Sequence, residues 1–250
     1  MTDNAIPAAT LILMRERGQA PPHLLMVERA RTMAFAAGAA VFPGGRIDPG
    51  DHALAEILAP QMSDAAARIA AIRETIEEAG LAPAITPLLS QGEIAGMRAK
   101  LLDGAPLGEV LAHDAHIDLS ALTPFARWRP DLELSRVFDT HFFITKLPGE
   151  TAQNPQADGS ETVRLFWTSA KDALAAADRK QLSVIYPTRR NLERLALFDS
   201  HADAVADAHA HPVRTITPWQ ESREDGAYLC IPDDLGYPVT AERLERVRRG

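Results

Sequence analysis

The stretch "AAIRETIEEAGL", residues 70–81, sets Glu74, Glu77 and Glu78 within five residues and no lysine beside them. On a helix, like charges three and four apart repel. At about 100° per residue, Glu74 at 0° puts Glu77 near 300° and Glu78 near 40°, a shared sector of about 100°. Ile69, Ile72 and Ile76 fall between about 160° and 220°, on the opposite side, and are the candidate core face. Arg73 lies beside the cluster, one turn from Glu77. Such a helix is either a solvated amphipathic surface or an oxygen-donor cluster. Carboxylate oxygens gathered on one face suit Mg²⁺ or Mn²⁺, and a bound cation would remove the repulsion.

Outward from this stretch, Ser63 and Asp64 read as a cap, Gly80 as a stop, and Pro83 prevents a restart, so the spacing predicts a helix ending at Ala79. Upstream, "ATLILMRE" and "HLLMVER" are β-prone runs joined through "RGQAPP", a turn or hairpin. "AAVFPGG" is a third short strand, and a helical piece is expected around Ala53 to Leu58. Residues 88–122 read as mostly helical, interrupted by "DGAP". "RVFDTHFFITKLP" and "ETVRLFWTS" are β-rich; "AKDALAAAD", "PTRRNLERLALF" and "ADAVADAHAH" are helical. "GAYLCIP" is β-like, and "AERLERVRR" reads as a closing basic helix. The sum is a mixed α/β chain, expected to be a single domain over residues 1–250. It would carry a helical insertion at about 88–122 and a C-terminal extension at about 200–250.

Composition narrows the function classes. The 250 residues are 46% hydrophobic and 24% charged, enough for a buried core. A net charge of −8 argues against nucleic acid as a partner, which needs a basic surface. The single cysteine, Cys230, forbids an internal disulfide and suits a reducing compartment. With no basic segment leading into a long apolar run, neither a secretory signal nor a membrane span is expected, and a cytoplasmic location is the default. The oligomeric state stays open, a homodimer included.

"GGRIDPGD" followed by "RETIEEAGL" resembles a Nudix box, G-x5-E-x7-R-E-U-x-E-E-x-G-U. Gly45 matches the first glycine, Arg73 and Glu74 the R-E, Glu77 and Glu78 the E-E, and Gly80 with Leu81 the ending. Asp51 stands at the first glutamate position, Thr75 at a usually apolar one, and the halves lie about fourteen residues farther apart than usual. The split box, with "MAFAAGAAVFPGG", "RVFDTHFF", "ETVRLFW" and "PTRRNLERLA", resembles the nucleoside diphosphate-linked moiety X motif 19-like branch. That branch includes coenzyme A diphosphatases, and the likeness runs from roughly residue 8 to 200.

The resemblance implies an α/β/α sandwich around a mixed sheet. It further implies metal-dependent hydrolysis of a nucleotide-linked diphosphate, coenzyme A or an acyl derivative being favoured. It makes Glu74, Glu77 and Glu78 ligands of Mg²⁺ or Mn²⁺, joined by the Gly44 carbonyl, and Arg73 the side chain that keeps the glutamates in register. A side chain at Gly44 is expected to block that carbonyl and to cost activity more than stability. Glu161, before a strand, is the candidate for an additional acid. Arg29, Arg31 and Gly45 are the substrate-side candidates, with Arg189 and Arg190 at a helix start. Other side chains read as structural: Asp139 and His141 as hydrogen-bonders on one strand face, His201, His209 and His211 as solvent-facing, Trp128, Trp167 and Trp219 as core. A nucleotide-binding or sensing protein on a degenerate scaffold is the alternative that Asp51 and Thr75 leave alive.

Overall fold

The computed structural model describes residues 5–30, 36–130, 137–147, 155 and 162–247. Ile6–Arg17 (β1) and Ala20–Arg29 (β2) form an antiparallel hairpin whose tight turn uses Gly18 at φ 63°. Past Met14 and Leu24 the two strands part. Ala40–Val41 (β3) pairs with β2 and Gly44–Arg46 (β4) pairs with β1 at Ala8–Thr10, on the strand edges that the splaying leaves facing each other. Gly44 and Gly45 are thereby fixed by pairing with Thr10 and Ala9 of β1.

Pro49–Leu58 (α1) starts with a capping box between Asp48 and Asp51. Ala65–Ala79 (α2) ends at Gly80, φ 63°, as expected for a left-handed cap. Asp64 holds the N-cap position of α2 without capping it; its carboxylate instead pairs with Arg68 at 2.9 Å. Ile85–Thr86 (β5), Gln91–Leu102 (α3), Leu107–Val110 (α4) and His116–Ile117 (β6) come next. The 88–122 stretch is therefore not wholly helical: β6 folds back to pair with β5 just ahead of it.

Thr123–Trp128 (β7), Phe138–Lys146 (β8) and Thr162–Ser169 (β9) complete the main sheet with Thr215–Ile216 (β10). Its order is β10-β7-β8-β1-β2, with β9 on the far side of β2; β1 runs parallel to β8 and β10 to β7, so the sheet is mixed. β1 alternates as a two-faced strand must. Ala9 and Leu11 join the core beneath α1–α4, where Ile69, Ile72, Ile76, Ile94, Met97 and Leu101 are buried. Ile12 and Met14 join the opposite core, under Ala170–Asp178 (α5), Tyr186–Leu195 (α6) and His201–Ala210 (α7). Helices on both faces make the α/β/α sandwich. Burying an isoleucine contributes about 1.5–3 kcal/mol. Three on α2 outweigh the few tenths of a kcal/mol that each like-charge pair costs on its other side.

The C-terminal residues add Trp219–Arg223 (β11), Gly226–Cys230 (β12) and Ala241–Arg243 (β13), a separate three-stranded sheet, then Leu244–Val247 (α8). The closing segment is thus not one helix, because residues 241–243 pair with β12. Side chains bind this extension to α6: the Tyr186 hydroxyl donates to the Leu229 carbonyl, and Tyr237 Oη to Asn191 Oδ1 at 2.8 Å. Trp128 is core, edge-on to Tyr186 and Tyr237. Trp167 is half-buried under Arg15, and Trp219 is 45% exposed, so the expectation of three core tryptophans holds for one. No helix among the described residues is long and apolar enough to cross a membrane.

Candidate active site

α2 lays its acidic side against α1 and the β4 turn, and this side is covered: Glu78 is only 5% exposed, and Glu74 and Glu77 are half-buried. A solvated surface is excluded for these residues. Arg73 organises them. Its Nη1 donates to Glu74 Oε1 (2.9 Å) and Glu77 Oε1 (3.1 Å), its Nε to Asp51 (3.1 Å), and its Nη2 to Asp51 (3.0 Å) and the Arg46 carbonyl (2.8 Å). Burial opposes the charge on Arg73, but the Asp51 hydrogen bonds and the Glu74 and Glu77 carboxylates prevail and hold its pKa above the ordinary value. Burial, countered by Arg73 and reinforced by Glu77, pushes the Glu74 carboxyl up to about 7; burial also raises Glu77.

Glu78 points elsewhere. Its Oε2 accepts from the Gly44 amide at 3.0 Å, and Oε1 lies 3.8 Å from Arg29 Nη1. The Glu74 carboxylate rests on Gly45, where any Cβ would sit 2.4 Å from Oε1. At Gly44 a Cβ would meet the Ala9 carbonyl oxygen at 2.5 Å and Thr10 Cα at 2.7 Å. That corrects the expectation for a Gly44 side chain: it would collide with β1 backbone, so the sheet suffers before the chemistry does.

Asp51 and Thr75 depart from the motif, and each has a physical account. Asp51 is 1% exposed and closes two contacts at once: its Oδ2 accepts the Asp48 amide of the α1 capping box and pairs with Arg73. Thr75 is fully buried, and its hydroxyl donates to the Ala71 carbonyl at 2.7 Å, so no polar group is stranded. Sequence reasoning missed Asp51 as the Arg73 partner, for which a buried acid in a capping box was the signal. It also missed Arg98 on α3, whose Nε donates to the Glu77 carbonyl (2.8 Å) and Nη2 to the Glu78 carbonyl (3.3 Å).

Among the described residues, no group of three His, Cys, Asp or Glu side chains is gathered closely enough to hold an ion. The reason is visible: Arg73 draws in Glu74 and Glu77 while Glu78 turns to the Gly44 amide. The donor chemistry still fits a hard divalent cation, since it consists of carboxylate oxygens beside a glycine turn that backbone can approach.

Of the other sequence candidates, Arg29 reaches the site from the end of β2, and its Nε is buried without a hydrogen-bond partner among the described residues. Arg31 and Glu161 lie outside the described residues. Arg189 and Arg190 do not line the site. Arg189 pairs with Asp178 and Glu193, and Arg190, 1% exposed, pairs with Glu193 and Glu242. Asp139 accepts two hydrogen bonds from Arg127, and His141 stacks on Phe143. His209 is exposed, while His201 and His211 are half-buried, His211 Nδ1 lying 3.1 Å from Asp207.

Residues 5–99 match the NUDIX domain model. The chain is 25% identical to the acyl-coenzyme A diphosphatase NUDT19 of Gallus gallus, over 86% of this chain and 72% of that protein. The crystal structure of a NUDIX hydrolase from Alicyclobacillus acidocaldarius shares its architecture at a TM-score of 0.70 and 29% identity, over 82% of this chain and 97% of that one. A helix ending R-E-x-x-E-E-x-G packed on a sheet-borne glycine pair lies within the matched stretch, so residues 5–99 carry a NUDIX domain, and the chain as a whole is similar in architecture to a NUDIX hydrolase.

Proposed function

We propose that the chain hydrolyses the diphosphate of coenzyme A or its acyl derivatives, giving 3′,5′-ADP and a 4′-phosphopantetheine product. The observation that carries the hydrolytic reading is the placement of the Glu74 and Glu78 carboxylates against Gly45 and Gly44, with Arg73 bonded to Glu74 and Glu77. The name of the Gallus gallus relative supports the choice of coenzyme A.

Glu74, Glu77 and Glu78, with the Gly44 carbonyl, would hold Mg²⁺ or Mn²⁺. Such a cation supplies charge neutralisation at the phosphoryl oxygens and a more acidic bound water. Arg73 works at one remove from substrate: its guanidinium fork fixes where the Glu74 and Glu77 oxygens stand. Arg29, beside Glu78, and Arg31, which follows it in sequence, would face the anionic substrate. Glu161 would supply an additional carboxylate.

Incubation of the pure protein with coenzyme A, ADP-ribose, NADH and diadenosine polyphosphates, with Mg²⁺ or Mn²⁺ and mass analysis of the products, tests the reading. Preferred release of 3′,5′-ADP from coenzyme A is expected. Preference for another diphosphate overturns the substrate and leaves the hydrolase class standing. Tight binding without turnover of any of them would favour the binding-protein alternative.

A further inference from the structure

We infer that Arg98, supplied by helix α3, is a positioning residue for the carboxylates of Glu77 and Glu78. The inference rests on the hydrolase reading above for its catalytic consequence and on the geometry for the rest.

The last carbonyls of any α-helix lack partners within the helix. At the end of α2 the Gly80 amide takes the Ile76 carbonyl at 2.9 Å. The next two carbonyls, Glu77 and Glu78, both accept from the Arg98 guanidinium. These residues carry the two carboxylates nearest the helix end, so Arg98 fastens the backbone from which both side chains project. It reaches across because α3 is docked by Ile94, Met97 and Leu101, buried on α3 at helical spacing in the same core as Ile72 and Ile76. A capping box between Ser90 and Glu93 starts α3 firmly. The guanidinium also passes close to Gly80: a Cβ there would lie 3.4 Å from Arg98 Nη1. A cation at a helix C-terminus opposes the negative end of the helix dipole.

The arrangement assigns the stretch between the box and β7 a task within the reaction. Without the guanidinium, the Glu77 and Glu78 carbonyls lose this partner, and the backbone of the final turn of α2 is left to the Gly80 cap and to the contacts its side chains make with Arg73 and the Gly44 amide. Misplacement on the order of 1 Å can lower turnover about a hundredfold.

The test compares wild type, Arg98→Met and Arg98→Lys by steady-state kinetics and by amide hydrogen exchange across residues 76–81. Arg98→Met is expected to speed exchange in that segment at least tenfold, and to lower kcat at least tenfold with KM within threefold. Arg98→Lys, which keeps a charge and one donor direction, is expected to recover part of both. Unchanged exchange at the end of α2, or unchanged kcat beside an active wild type, overturns the inference. If Arg98→Met unfolds, Arg98→Lys alone decides: wild-type exchange and wild-type kcat overturn it, intermediate values support it. A wild type inactive on every diphosphate sinks the hydrolase reading instead, and the exchange measurement still reports whether Arg98 fastens the helix end.

Discussion

At Glu74 and Glu78 the balance is between charge and burial. Both carboxylates are largely covered, and burial already pushes Glu74 up to about 7, so an uncharged amide of the same shape suits the fold. Glu74→Gln and, separately, Glu78→Gln are expected to lower turnover about a hundredfold or more while the thermal midpoint holds or rises. Initial rates at saturating Mg²⁺ and a melting curve check this; near wild-type rates would reduce the carboxylates to a structural role. The adjacent glycines separate what looks alike in sequence. A methyl at Gly45 meets the far end of the Glu74 side chain, which can swing, whereas one at Gly44 meets β1 backbone, which cannot. Gly45→Ala is therefore expected to fold with near wild-type stability and reduced activity, and Gly44→Ala to melt lower. The reverse order in melting and rate assays would contradict this reading of the turn.

Between elements, the Asp51–Arg73 pair clamps α1 to α2, and the Arg73 bond to the Arg46 carbonyl adds β4. A buried pair contributes little over an apolar replacement, yet breaking it strands a charge at about 3–5 kcal/mol. Arg73→Met and Asp51→Leu are each expected to destabilise by about 3 kcal/mol, and the double variant by clearly less than the sum. Denaturant unfolding of the four proteins measures the coupling; additive effects would show the clamp to be independent of the pairing. The elements themselves follow from local sequence where one signal dominates. The period-two alternation of β1 and the Gly80 stop on α2 are of that kind. Residues 241–243 were misread because "AERLERVRR" has helical composition, and pairing with β12 overrides propensity.

At the scale of the molecule, the C-terminal extension completes the core opposite the acidic helix. Ile216, Ile231, Leu235 and Tyr237 are buried with Trp128 and Leu192, and Glu242 partners the buried Arg190. Deleting residues 213–250 is expected to give an insoluble or protease-sensitive chain, although every box residue remains. A soluble, cooperatively melting truncation would show the extension to be dispensable. The sequence by itself determined the mixed α/β class, the acidic helix with its stop, and the hairpin, because these rest on period, caps and spacing within a few residues. Only tertiary structure decided that Arg190 is locked to Glu242, that Asp51 is the anchor of Arg73, and that Arg98 reaches the end of α2. Those contacts span 20 or more residues in the case of Arg73 with Asp51 and of Arg98, and 52 for Arg190 with Glu242. Partner choice over such distances depends on which faces the sheet brings together, and no local pattern records that.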